Sequence, residues 1–374
     1  MRISAPQGSR LGARRREVRC VSGRAGAGKV TQRQIAELAG VSQAVVSLVL
    51  NGKANGVSRI PDSTRERVEQ VIAETGYTAN AAARRLAGVG NRIVGVFTYE
   101  PAFPTAAQDF YTPLLAGIEA EAELLGCDLL MFTSAPVRAG RRRLLHGNSR
   151  LRLADGCLLL GVRMDGDELA RLVAEGFPFV AVGRRDVADV PYVGLDYVAG
   201  AAALTERVLA AGHRSIAYLH LEQAGESIVD RMRGVELGCG RVAGSRLETV
   251  QADDHEITPD LLVNLLAAGT TAVVAETAAQ AARVCAAAGA AGLTIPGDLS
   301  AVVLADPPRP GPEAPDLTRL SPPRTRLGAE SLRLLGRILD PHDDLPVADR
   351  RTLLDCVVVD GRTLTAPARR ATQR

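Results

Sequence analysis

Two periodicities divide the chain. Between residues 30 and 79, apolar positions recur every three or four residues, the spacing of one helix face. From residue 92 to about 362 they come instead in short unbroken blocks: "RIVGVFT", "CDLLMF", "GCLLLG", "PFVAVG", "RSIAYL", "TAVVAE" and "LSAVVLA". Such blocks read as strands buried on both faces. Helical patterns separate most of them, at 112–126, 166–176, 198–211, 258–268 and 277–289. This alternation predicts parallel sheets covered by helices on both faces, and the stretch is long enough for two such lobes. A Pro-rich segment, Asp306 to Pro323, interrupts it, followed by a helix near 325–339 and a strand near 352–359. The chain after Asp360 reads as loose, with 363–374 a flexible tail. Residues 1–29, Gly/Arg/Ala/Ser-rich and without apolar period, read as a disordered basic extension.

The helical stretch carries its own punctuation. Thr31 and Gln34 form a T-x-x-Q capping pair ahead of Ile35, Leu38 and Ala39, and Gly40 supplies a stop. Ser42 is placed to cap a second helix bearing Val45, Val46, Val49 and Leu50, ended by Asn51-Gly52. A third helix runs from about Ser63 to Thr75, with Ser63 and Glu66 as a further capping pair and Gly76 beyond its end. The short segment "NAAARRLAG" has Asn80 as a cap and Gly88 as a stop. Two short helices joined by "AGVS" are a helix-turn-helix signature, in which the second helix enters the DNA major groove. Val46, Val49 and Leu50 then pack inward, while Gln43, Ala44, Ser47 and Leu48 face the groove or its rim. Gln43 is the clearest polar base reader, because glutamine pairs with adenine through two hydrogen bonds.

Charge sharpens this picture. The net +3 is an average: the first ninety residues carry about +9, which leaves about −6 for the rest. A basic head on an acidic body points to a polyanion partner for the head. Composition is otherwise that of an ordinary globular chain, 46% hydrophobic and 23% charged, with a core resting on Ala, Val, Leu and Ile. No apolar run approaches the roughly 18 residues of a membrane span, and the Arg-rich start lacks the apolar region of a signal peptide. The six cysteines are scattered without a CxxC pair, which argues against a zinc cluster or a disulfide framework. They read as reduced thiols of a cytoplasmic protein.

One stretch, "GRAGAGKVT", imitates a phosphate-binding loop. A working loop needs Ser or Thr directly after its lysine to hold magnesium, whereas Val30 follows Lys29, and "REVRCVS" before it is a poor strand. The five histidines stand in no metal-ligand spacing and no GxSxG elbow is present. No catalytic residue, metal or cofactor is expected, and the chain does not read as an enzyme.

The head is more specific than a bare helix pair. AGVS, the VLN closing the second helix, TRERV, GY and the N-x-x-A-x-x-L segment together resemble the head of the lactose-repressor (LacI/GalR) family of bacterial transcription regulators, nearly continuously over 30–88. The downstream alternation is similar to that family's core, a type I periplasmic-binding-protein fold. The resemblance implies an α/β chain with an all-α head (30–79), a hinge helix and linker (80–91) and a two-lobed core (92–362). One lobe would comprise about 92–190 and 318–342, the other 191–317 and 343–362, with crossings near 190, 318 and 342. It also implies a cytoplasmic homodimer bound to pseudo-palindromic operator DNA, without membrane contact. It would act as a repressor controlled by a small-molecule effector, a sugar or related metabolite, in the interlobe cleft. The competing reading is a small-molecule binding protein without DNA-regulatory activity.

Carried residue by residue, the resemblance puts Thr31, Ser42, Gln43, Ala44, Val45, Ser47, Leu48, Asn51, Tyr77 and Asn80 at the DNA. In the hinge, Leu86 matches the wedge leucine inserted into the minor groove, Ala83 the small residue beside it, and Arg84 and Arg85 lie near phosphates. By pattern alone, Ala83 and Leu86 are simply one apolar helix face. Leu48 stands where the family usually has a guanine-reading arginine, so base preference shifts toward contact with a thymine methyl. Pro61 occupies the usual N-cap serine position, leaving Ser63 or Asp62 to cap the third helix.

For the effector, Arg231 matches the family's ligand-binding arginine three residues before a glycine, here Gly234. By pattern it is equally a surface arginine on an amphipathic helix. Phe110 and Tyr111 are cleft candidates or core aromatics. Arg184 follows a strand's carboxyl end, where α/β folds bind ligands. Asp196 is either a cleft acid or a helix cap. Glu276 and Thr277 replace the usual Asn-Asp, and only Asp306 survives of the usual Gly-Phe-Asp-Asp, which weakens the acidic grip on sugar hydroxyls. His213, in "AAGHRSIAYL", is a structural turn residue.

Overall fold

The computed structural model describes residues 30–50, 60–77, 90–100, 110–138, 141–147, 149–222, 225–307 and 316–368. The expectations for 1–29, Asn51, Asn80, Ala83, Arg84, Arg85 and Leu86 lie outside these residues. Two compact units form, one up to Val89 and one from Gly90.

The first unit contains α1 (Gln32–Ala39), α2 (Gln43–Leu50) and α3 (Asp62–Thr75). Thr31 and Gln34 make both bonds of a capping box, and Gly40 ends α1 at φ +60°, a conformation that favours glycine. Ile35, Val46 and Val68, one from each helix, are 0% exposed and form the centre of a small core. Arg67 Nε donates to Ala39 O at 2.9 Å, placing a cation at the negative end of α1. The start of α3 differs from expectation. It begins at Asp62, directly after Pro61, with no side-chain cap from Ser63 or Asp62. Proline's fixed φ sets the chain at the helix entry, and Asp62 supplies negative charge to the first turn.

The second unit is built on two six-stranded sheets. In the first lobe, β1 (Ile93–Thr98), β2 (Asp128–Phe132), β5 (Gly156–Leu160), β6 (Phe179–Val182), β7 (Tyr192–Asp196) and β13 (Arg351–Asp355) lie parallel in the order β13-β7-β6-β5-β1-β2. A two-residue-per-strand hairpin, β3 (Val137–Arg138) and β4 (Arg141–Arg142), occupies the connection from β2 to β5. The second lobe holds β8 (Ser215–His220), β9 (Arg246–Gln251), β10 (Ala272–Ala275), β11 (Ser300–Val303), β12 (Thr318–Ser321) and β14 (Val357–Val359). Their order is β14-β12-β11-β10-β8-β9, parallel except for β14.

Helices α4 (Tyr111–Leu125) and α10 (Arg324–Leu339) pair in the first lobe, where α5 (Gly166–Ala174) also lies. Helices α6 (Tyr197–Ala210) and α7 (Glu226–Gly240) pair in the second, with α8 (Pro259–Ala267) and α9 (Ala278–Ala290) packed together. Both main pairs approach to backbone contact. A Cβ on Gly117 of α4 would lie 2.8 Å from the Thr325 carbonyl carbon, and one on Gly234 of α7 would lie 2.5 Å from Val198 O. No helix among the described residues is long and apolar enough to cross a membrane.

The crossings fall later than expected. The chain changes lobe between Asp196 and Tyr197, between Ser321 and Arg324, and between Asp355 and Val357, rather than near 190, 318 and 342. Strand partners decide this. β7 pairs with β6, β12 pairs with β11, and β13 pairs with β7, so Tyr192–Asp196 and Arg351–Asp355 join the first lobe and Thr318–Ser321 the second. The apolar run at 352–359, read as one strand, is cut at Cys356 into two strands of different sheets. Nor is the chain after Asp360 loose up to residue 368. Ala301 N donates to Thr363 O at 2.9 Å, Thr318 N to Thr363 Oγ1 at 3.0 Å, and His213 Nε2–H to Thr365 O at 2.8 Å.

Candidate functional site

In the head, the α1–turn–α2 arrangement sorts side chains by face. Val46 points into the core, Gln43 and Ala44 are exposed, and Val45, Ser47 and Leu48 are half-buried. Ser42 Oγ accepts from Val45 N at 3.4 Å, and Thr31 is held by its capping box, so both orient the helix starts. Gln43 Nε2 leans toward Gln32 Oε1 at 3.5 Å, which puts the first turns of α1 and α2 side by side. Tyr77 packs against the core, its N–H donating to Ile72 O at 3.3 Å. The arrangement offers a short exposed polar edge on a helix anchored by its opposite face.

In the second unit, a cavity of about 360 Å³ opens at the second crossing, lined by Pro113, Asp306, Pro322, Pro323, Arg324, Thr325 and Arg326. Asp306 is already engaged, accepting from Arg319 Nε and Ser321 Oγ, each at 2.9 Å. Phe110 adjoins this cavity through Arg324, whose guanidinium lies 5.6 Å from the ring centre. Tyr111 is buried instead, and its hydroxyl donates to Glu100 Oε2 at 2.8 Å.

A second cluster lies in the other lobe. The Arg231 guanidinium stacks 4.0 Å over the Tyr197 ring and approaches Glu276 Oε1 at 3.7 Å. Glu276 Oε2 accepts from Leu221 N at 2.8 Å. Burial pushes the Glu276 carboxyl above its ordinary value, and Arg231 offsets part of that rise. Arg231 Nε, Glu276 Oε1 and Tyr218 Oη are buried without a hydrogen-bond partner. Such orphaned atoms cost about 1–3 kcal/mol each. At the third crossing, burial pushes the Cys356 thiol up to about 12. The charge of Arg231 opposes that shift, and those of Asp196, Asp355 and Asp306 reinforce it.

The remaining candidates are committed elsewhere. Asp196 caps α6 by accepting from Ala199 N at 2.8 Å, and Thr277 caps α9 in a box with Gln280. Arg184 grips Asp230 with two bonds of 2.6 and 2.9 Å and also bonds Asp186. Three residues of these clusters escaped the sequence reading: Tyr197 and Tyr218 beside Arg231, and Arg324 at the cavity. The signal for Tyr197 was tyrosine one residue past the carboxyl end of a strand, where ligands bind in such sheets; Tyr218, two residues before the end of β8, carried none. His213 lies away from the cleft, clamped between Thr271 Oγ1 and Thr365 O at 2.8 Å each. Among the described residues no group of His, Cys, Asp and Glu is arranged to hold a metal ion.

Residues 31–80 match the family "Bacterial regulatory proteins, lacI family", and residues 205–364 match "Periplasmic binding protein-like domain". The chain belongs to the lacI family of bacterial regulators. Among lacI-family relatives, the transcriptional regulator CelR of Thermobifida fusca is 32% identical over 54% of this chain and 59% of its own length. The maltose regulon regulatory protein MalI of Escherichia coli is 30% identical over 55% of this chain, so these alignments span less than two thirds of either relative. The probable regulator EndR of Paenibacillus polymyxa is 26% identical over 84% of this chain and 92% of its own length. Among solved structures, a CelR–cellobiose complex aligns with TM-score 0.60 at 25% identity, covering 89% of this chain and 99% of that one. A lac repressor dimer bound to operator and an anti-inducer aligns with TM-score 0.67 over 90% and 99% of the two chains, at 22% identity a likeness of fold.

Proposed function

We propose that this chain is a cytoplasmic, homodimeric repressor whose hold on pseudo-palindromic operator DNA is set by a small-molecule effector in the interlobe cleft. One observation carries the reading. The same chain joins a helix pair that exposes Gln43 and Ala44 to a core in which buried Arg231, Glu276 and Tyr218 keep unfilled bonding capacity. Gln43 reads a base edge, Ala44, Val45, Ser47 and Leu48 supply apolar and rim contacts, and Leu86 wedges the minor groove with Ala83 beside it. Arg231, Glu276 and Tyr218 take hydroxyl groups, while Tyr197 and Phe110 offer ring faces to a sugar or related metabolite. That a lacI-family relative was solved with cellobiose supports this ligand class.

The test has two arms. Operator fragments selected from random duplexes should bind in gel shifts with an affinity that falls steeply between roughly 50 and 200 mM salt. Leu86→Ala should lose most of that affinity while ligand binding stays unchanged. In parallel, a thermal-shift screen of sugars, nucleosides and small acids should find a stabilising compound whose effect Arg231→Gln removes. Ligand binding with no DNA binding at any salt would favour the competing reading of a binding protein without regulatory activity.

A further inference from the structure

A seam of opposite charge joins the two lobes. On the first lobe it consists of arginines: Arg163 after β5, and Arg184 and Arg185 after β6. On the second it consists of acids: Glu222 after β8, and Glu226 and Asp230 on α7. Glu226 and Asp230 are four residues apart and share one helix face. The pairs differ in depth. Arg184 forks onto Asp230 at 2.6 and 2.9 Å. Arg185, only 4% exposed at its side chain, donates to Glu226 Oε2 at 2.9 Å and to Gly161 O at 2.6 Å. Arg163 and Glu222 form an outer, solvent-washed pair at 3.7 Å. The lobes touch here with no space left, since a Cβ on Gly225 would lie 2.9 Å from Val162 O.

We propose that Asp230 and Glu226 are positioning residues that form an electrostatic latch between the lobes and so set the balance of open and closed cleft. Every rung has the same polarity, cation on the first lobe and anion on the second. Closure therefore pairs opposite charges at each rung; opening leaves Arg184 with Asp186, its partner within the first lobe, and leaves Glu226 and Asp230, one turn apart on α7, to repel within the second. Separated charges are solvated and screened by salt, whose screening length shrinks from about 10 Å at 0.1 M to about 3 Å at 1 M. Ionic strength thus favours the open form. The consequence for ligand binding rests on the effector role of Arg231. Asp230 precedes Arg231 on α7, so the fork from Arg184 fixes the backbone that carries the ligand-facing guanidinium.

The test reads lobe separation without any ligand. Donor and acceptor dyes would be placed in the full chain through noncanonical residues at Leu153 of the first lobe and Val263 of the second, both exposed. Wild type should be mainly closed near 0.05 M NaCl and shift toward open near 1 M. Asp230→Asn with Glu226→Gln should lower the closed-to-open ratio by about tenfold or more at low salt, the scale of coupling between close charge pairs, and lose the salt response. Asp230→Glu should stay closed. Glu226→Gln leaves Arg185 partly unpaired, so a swap guards against misfolding: Arg184→Asp with Asp230→Arg should restore closure lost in Arg184→Asp alone. The latch is overturned if the Asn/Gln variant matches wild type, if Asp230→Glu opens as far as Asp230→Asn, or if the swap fails to close. Because neither DNA nor effector enters the measurement, its outcome is independent of the regulatory reading.

Discussion

Replacing Gly117 by alanine probes the tightest helix contact in the first lobe. The added Cβ would overlap Thr325 O and lie 2.8 Å from the Thr325 carbonyl carbon. Carbon pairs rest at about 3.5–4.0 Å, so α10 must retreat from α4 by roughly 1 Å. Neither partner is a side chain that swings away, since both atoms belong to helix backbone. Around the contact, Leu114 and Ile118 of α4 and Leu327, Leu332 and Leu335 of α10 are buried. A gap of that size forfeits about a quarter to a half of each dispersion contact it opens. Overpacking alone costs about 1–3 kcal/mol, and the loosened leucines bring the expected loss to about 3 kcal/mol. For a core of this size that corresponds to a fall of about 6–12 °C in Tm. Gly336→Ala on the same helix is the control, because its Cβ would meet only Leu125 Cδ1, at an ordinary 3.5 Å. Alanine's better helix propensity should leave that variant equal to wild type or about 0.5–1 kcal/mol more stable. Thermal unfolding followed by circular dichroism compares the three. A Gly117→Ala transition that coincides with wild type, or an equal loss in Gly336→Ala, would refute the argument from close approach.

Other expectations follow from single groups. Glu168 is buried and accepts from Leu144 N, Leu145 N and Tyr99 Oη; Glu168→Ala should cost about 3 kcal/mol and speed amide exchange at residues 144 and 145, as read by hydrogen–deuterium exchange. Burial lowers the His213 pKa below 6.5, so the neutral ring is favoured in the fold; its contribution is present above pH 6.5 and lost as pH falls through the folded value. Wild-type Tm should therefore drop on acidification from pH 7.5 toward 5 more than that of His213→Gln. Thr31→Ala removes the bond from Gln34 N to Thr31 Oγ1, leaves the Thr31 N–H bonded to Gln34 Oε1, and should destabilise the head by about 1 kcal/mol, measured as earlier melting of head amides in temperature-resolved NMR.

The strands that sequence revealed are those buried on both faces. "GCLLLG" became β5, in which every residue is buried, and an unbroken apolar run has few other uses. "RLETVQ" escaped because β9 is an edge strand, mostly exposed, whose composition equally suits a solvated loop. The crossings escaped for a different reason. A strand's sheet is set by its hydrogen-bonding partner, and nothing local in "TLLDCVVVD" says that its two halves pair with different sheets. In the core, Arg231 was singled out because its position follows a motif. Its neighbours Glu226 and Asp230 were not, because acids four apart on an amphipathic helix ordinarily face water. Only the fold brings Arg184 and Arg185 to them.

The paired strands β13 and β14 bear on how the molecule is made. β13 covers the edge of β7 in one sheet, and β14 covers the edge of β12 in the other. Neither lobe is therefore a contiguous piece of chain, and both sheets wait for residues 351–359. On the ribosome, a nascent chain that has emerged only to residue 350 carries two nearly finished sheets with bare edges, the kind of surface that recruits other strands. Completion of the two lobes is thus one late event, and a polypeptide stopped just short of Arg351 should be unsound in both halves at once.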